Sequence, residues 1–112
     1  MKSQSAPPRA PNHLRSETAK WFAGVVADYE LESHHVRLLI KAGEAWDRSE
    51  QAREEIAKHG MTYLDRFGAP RSRPEIAIER DSRLAFARLV RELGLDIATP
   101  AESRPNVLKA NR

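Results

Sequence analysis

Residues 34–59 constrain this chain more than any other segment. They hold no proline and a single glycine, Gly43. They end on Lys58-His59-Gly60, a basic last turn followed by a glycine suited to the backbone that closes helices. The segment reads as one long helix, with Ser33 placed to cap it. It carries two apolar stripes. Val36, Leu39, Ile40, Gly43 and Trp46 make the first; Leu38, Ala45, Ala52 and Ile56 make the second. At about 100° per residue the two lie on nearly opposite sides. A helix in a two-layer monomer needs one apolar stripe. The second suggests a neighbouring subunit, with Leu38, Ala45, Ala52 and Ile56 as the oligomer interface. The other account is alanine used as a good helix former on a wet face.

The remaining elements arrange themselves around that helix. Phe22, Val25, Val26 and Tyr29 recur at helical spacing over 17–29, with Ser16 as a cap and Glu17 where the helix dipole favours an acid. ELES, residues 30–33, is a short break. Beyond Gly60, residues 61–65 favour a strand, Phe67-Gly68-Ala69-Pro70 a turn and 71–73 a returning strand. Pro74 and Glu75 suit the first turn of a third helix. Ile78, Ser82, Ala85, Phe86, Leu89 and Leu93 keep its period as far as Gly94, and the wheel puts Ile78, Ala85, Leu89 and Leu93 on the buried side. The expected fold class is all-α: three main helices, a long central one, and a short β-hairpin between the second and third. Residues 1–13 read as a disordered arm, 14–95 as the helical domain and 96–112 as a polar flexible tail.

Composition narrows function mainly by exclusion. With 40% hydrophobic and 31% charged residues, the core is thin for this length, which favours a homo-oligomer. The absence of cysteine removes disulfide scaffolds, thiol nucleophiles and cysteine zinc sites. There is no phosphate-binding glycine loop and no nucleophile elbow. His34 and His35 are adjacent, so on a helix their rings diverge and suit a shared metal ion poorly. Neither a catalytic residue, a metal nor a cofactor is expected. No apolar run reaches membrane-spanning length, and the start lacks the apolar middle of a signal peptide. A cytoplasmic protein without a membrane partner is the expectation. Trp21 and Trp46 sit among apolar neighbours at helical spacing and read as inter-helix anchors.

The charge is uneven. The chain's formal net charge is +3, yet residues 66–91 hold seven arginines against Glu75, Glu79 and Asp81. Arg66, Arg71 and Arg73 belong to the hairpin and its exit. Arg80, Arg83, Arg88 and Arg91 fall on the back of the third helix. One reading is a solvated face with weak surface pairs. The other is a surface that follows the phosphates of double-stranded DNA. A helical adaptor that binds protein and has no nucleic-acid role is a further alternative, in which the same face meets acidic side chains.

RPEIAIERDSRLAFARLVRELGL, residues 73–95, resembles a conserved block of tailed-bacteriophage terminase small subunits. The resemblance lies in the proline-containing start, the Arg-Asp pair, the Arg/Leu/Ala helix and the closing ELGL. GMTYLDRFGAPRSRP is similar to the family's hairpin, and PNHLRSETAKWFAGVVADYEL to its opening helix. The similarity covers about residues 11–95. After it this chain reads GLDIATPAESRPNVL where the family often has a Gly-Leu-Thr-Pro turn. The resemblance implies a non-catalytic, ring-forming subunit in the host cytoplasm. Such a subunit recognises viral DNA and presents it to a large terminase subunit, which carries the ATPase and nuclease. The arginines just named would then be DNA contacts.

Overall fold

A computed structural model describes residues 6–95 and 109–110 of the chain. Three helices dominate: α1 (Ser16–Asp28), α2 (Ser33–His59) and α3 (Pro74–Glu92). A hairpin of β2 (Thr62–Leu64) and β3 (Pro70–Ser72) joins α2 to α3. Its antiparallel register pairs Thr62 with Ser72, Tyr63 with Arg71 and Leu64 with Pro70. The expected three helices and hairpin are therefore present. A second pairing had no sequence signal. β1 (Tyr29–Glu30) runs antiparallel to β4 (Lys109–Ala110), with Tyr29 opposite Ala110 and Glu30 opposite Lys109. The rest of the arm and tail, residues 1–5, 96–108 and 111–112, lies outside the described residues.

The helix ends follow local chemistry in part. Gly60 takes φ 86 and donates its N–H to the Ile56 carbonyl at 2.7 Å, closing α2 as its position predicts. Pro74 and Glu75 open α3. The N-caps differ from expectation. Glu32, not Ser33, caps α2: its side chain accepts from the His35 backbone N–H, while Glu32 N–H donates to His35 Nδ1 at 3.1 Å. Ser33 is already the first helical residue. At α1 the cap position is Arg15, one residue before Ser16. Its N–H donates to Asp47 Oδ2 on α2 at 2.8 Å, and the Thr18 hydroxyl donates to the other oxygen of the same carboxylate. A side chain from a different helix thus does the capping.

The core lies where all three helices meet. Leu14, Phe22, Val25, Leu39 and Leu93 form the buried cluster, with Phe22, Leu39 and Leu93 fully enclosed. Burying a side chain of this size contributes roughly 1.5–3 kcal/mol, so these few positions carry much of the hydrophobic stabilisation. At Gly43 an added Cβ would come within 3.1 Å of Leu14 and 3.2 Å of Thr18. Glycine there lets the approach to α1 sit close on α2.

Both stripes of α2 pack in part inside the chain. Leu39 and Gly43 meet the Leu14–Val25 segment. On the other side α3 runs back along α2. Ala52 is buried beside Glu75 and Ile78, Ala45 lies beside Ser82 and Ala85, Leu38 packs on the core cluster, and Ile56 is half-buried. The small residues Ala45, Ser49, Ala52 and Ser82 let the two helices approach. Of the second stripe, Ala45 and Ala52 thus lie beside the chain's own third helix and Leu38 on the core cluster.

The phase of α3 also differs from the wheel. Ser82 and Leu93 are buried and Phe86 and Leu89 half-buried, but Ile78 and Ala85 are exposed at the edge. Phe86 sets this rotation. Its ring lies 5.0 Å from Trp46 and 5.7 Å from Trp21, so it is drawn into the junction of three helices. The two tryptophans are inter-helix anchors as predicted, although Trp46 stays 43% exposed.

Candidate nucleic-acid interface

The rotation of α3 decides which arginines reach solvent. With Ser82, Phe86 and Leu93 turned inward, the opposite side presents Arg80, Arg83, Arg88 and Arg91, all exposed. Between Arg80 and Arg91 the helix rises roughly 17 Å. Leu84, 54% exposed, stands among them. Arg80 Nε lies 3.2 Å from Asp81 Oδ1 and Arg83 Nε 3.0 Å from Glu79 Oε2. Arg88 and Arg91 have no carboxylate partner among the described residues. Exposed pairs such as these contribute about 0–1 kcal/mol, so an incoming phosphate can compete for Arg80 and Arg83.

The three remaining arginines have different surroundings. Asp65 organises the hairpin turn. One carboxylate oxygen accepts from the backbone N–H groups of Phe67 (2.9 Å) and Ala69 (3.0 Å); the other accepts from Arg71 Nε at 3.0 Å. The Ala69 N–H first, then the Arg71 guanidinium, holds this carboxyl below the usual aspartate range. Arg71 is thus a turn-holding cation. Arg73 Nε and Glu75 Oε1 are buried 3.4 Å apart as an ion pair where the hairpin enters α3. Arg66 sits at the tip, its guanidinium 5.0 Å from the Phe67 ring centre, with no carboxylate partner among the described residues. The basic region therefore separates into an outer face on α3 and a hairpin in which Arg71 and Arg73 hold structure and Arg66 does not.

No group of three or more histidines, aspartates or glutamates among the described residues is placed to hold a metal ion. The His34 and His35 rings do not diverge as expected: their centres lie 4.1 Å apart with planes tilted by 42°, because His35 turns back to serve the α2 cap. Burial first, then the neighbouring His34, pushes the His35 ring below the usual histidine range. No described helix is long and apolar enough to cross a membrane.

Sequence reasoning missed two apolar features. Trp21, Trp46 and Phe86, with Glu17 and Thr18, line an open cleft of about 350 Å³ at the three-helix junction. The hairpin exposes Met61, Tyr63, Leu64 and Phe67, with Phe67 at 79%. The signal available was a large aromatic beside Gly68 in a turn, where solvent-facing polar residues are the norm.

The profile of a family described as phage terminase, small subunit, matches residues 23–109. The chain belongs to that family. The match begins inside α1, spans α2, the hairpin and α3, and runs to Lys109; it passes the 11–95 region of the resemblance at the C-terminal side and leaves out residues 11–22 of it. No curated protein and no solved structure matches the chain. Membership carries with it a role in phage DNA packaging.

Proposed function

We propose that this terminase small subunit binds viral double-stranded DNA on the outer face of α3. It then hands the DNA to the large subunit, which supplies the ATPase and nuclease. The subunit catalyses no step itself. It works as a homo-oligomeric ring in the host-cell cytoplasm, with no membrane involved. The observation that carries this reading is the alignment of Arg80, Arg83, Arg88 and Arg91 on one solvent-facing side of a helix, two of them without a competing carboxylate. Over the roughly 17 Å they span, a DNA duplex presents about ten phosphates on its two strands. A rigid helix holds the four cations at fixed spacing, and guanidinium forks onto phosphate in a planar, two-bond geometry. Contacts of this kind fix position on the duplex without reading its sequence. Arg66, Arg71 and Arg73 contribute at most to the field around it, because Arg71 and Arg73 already hold the turn and the helix start.

Replacing Arg80, Arg83 and Arg91 together with alanine tests the assignment. Affinity for a duplex should fall, and its dependence on salt should flatten by about 0.9 in log–log slope for each phosphate no longer neutralised. Unchanged affinity in a variant with wild-type circular dichroism would refute the surface and favour a protein-binding adaptor.

A further inference from the structure

We propose that the hairpin tip of one subunit seats in the Trp21–Trp46–Phe86 cleft of a second copy. The proposal rests on the reading of this chain as a self-assembling small subunit and adds the surfaces that meet. Among the described residues, two groups of exposed apolar side chains stand out. One is convex: Leu64 and Phe67 at the hairpin tip are 70% and 79% exposed, with Met61 behind them. The other is concave: the cleft of about 350 Å³ walled by two tryptophans and a phenylalanine. Apolar cavities of roughly 150 Å³ already accept a benzene ring, so the cleft has room for the Phe67 ring and part of Leu64.

Charge matches as well. Arg66 accompanies Phe67 at the tip, and Glu17 stands at the cleft wall; neither has an ion-pair partner among the described residues. Seating Phe67 between the tryptophans brings a lone cation to a lone carboxylate. One chain cannot make this contact with itself. From Trp46 to His59 the α2 helix rises roughly 20 Å, and the hairpin lies beyond that end. The radius of gyration is 18.0 Å, against about 13 Å for a compact chain of 100 residues, as an elongated molecule requires. Because the two surfaces differ, the contact is head-to-tail, the type that closes into a ring when its rotation permits. DNA is the weaker occupant for the tip. Arg71 and Arg73 are engaged by Asp65 and Glu75, Arg66 alone is left as a cation at the tip, and the other large side chains it exposes are apolar.

The absence of cysteine makes the test clean. Glu17→Cys and Arg66→Cys chains, separately and mixed, are treated with a short bis-maleimide. The expected product is a covalent dimer in the mixture and none from either variant alone. Dimers of Arg66→Cys with itself would mean hairpin meets hairpin, and the proposal fails. In parallel, Glu17→Arg and Arg66→Glu should each lower the assembled mass, and the double variant should restore it. Phe67→Ser should drop the mass toward the 12.7 kDa chain with helicity unchanged. If Phe67→Ser instead loses DNA affinity at unchanged mass, the tip is a DNA wedge and the proposal is overturned. Light scattering on the wild-type protein separates the two levels. A monomer ends both the assembly reading and this contact, while a multimer that gives no 17–66 cross-link ends this contact alone.

Discussion

The two ends of the α2–α3 pair follow different rules. At one end α1 joins them, and Phe22, Leu39 and Leu93 are enclosed. There Asp47 satisfies the start of α1, and Gly43 allows the approach to that helix to lie close. At the other end two helices meet through small residues and terminate in a hairpin none of whose strand residues is buried. Polar bonds within the turn set its shape: Asp65 binds two backbone N–H groups and Arg71. The first end encloses Phe22, Leu39 and Leu93 and leaves open only the cleft of Trp21, Trp46 and Phe86 among its described apolar groups. The second leaves Leu64 and Phe67 in water, where they contribute nothing to the stability of one chain. Leu64 and Phe67 are the exposed apolar side chains on which the proposed contact with a second copy rests.

That contrast can be broken at several points. Phe22→Ala removes a fully buried ring from the junction and should destabilise by about 3–5 kcal/mol, measured by urea unfolding followed by circular dichroism. A loss under 1 kcal/mol would mean the junction is not where stability resides. Asp47→Ala should come next, at about 1–3 kcal/mol, because the buried Thr18 hydroxyl and the Arg15 N–H lose their acceptor. The same urea titration reads it.

The hairpin should respond to acid. The Asp65 carboxyl is held below its unfolded range, so its contribution to the turn is fully present above the usual aspartate value of about 4. It is lost as pH falls through the lower folded value. Protection of the Phe67 and Ala69 amides, read by NMR as the exchange rate relative to the intrinsic rate at each pH from 6 to 2, should fall only at the acid end. Loss of protection near neutrality would contradict the turn geometry. The smallest effect is expected for Phe67→Ser, within about 0.5 kcal/mol of wild type in single-chain stability. A larger loss would mean that the tip packs within its own chain.

Periodicity made the helices legible. Gly60 and Pro74 marked ends that the structure keeps, and the hairpin followed from turn residues between two short strand-like runs. Long-range contacts hid the rest. The cap of α1 comes from Asp47, thirty-two positions from Arg15, and no local pattern announces it. The phase of α3 is set by Phe86 meeting tryptophans of two other helices, which a wheel drawn for one helix cannot include. For the same reason Ile78 and Ala85 looked buried, and the second stripe of α2 looked unpartnered. The arginine face of α3 was visible because exposed charges on one helix side depend only on spacing. Which of the seven arginines lack a partner depended on the fold: Arg71 and Arg73 of the hairpin are engaged by Asp65 and Glu75, while Arg88 and Arg91 on α3 have no carboxylate partner among the described residues.

The most direct test of the account is the affinity of the wild-type protein for a DNA duplex measured against salt. Four arginines on phosphates predict a log–log slope of roughly −3 to −4, reduced by about two units in Arg88→Ala/Arg91→Ala. Absence of binding at low salt, or a slope near zero, would contradict the assignment of the α3 face to DNA.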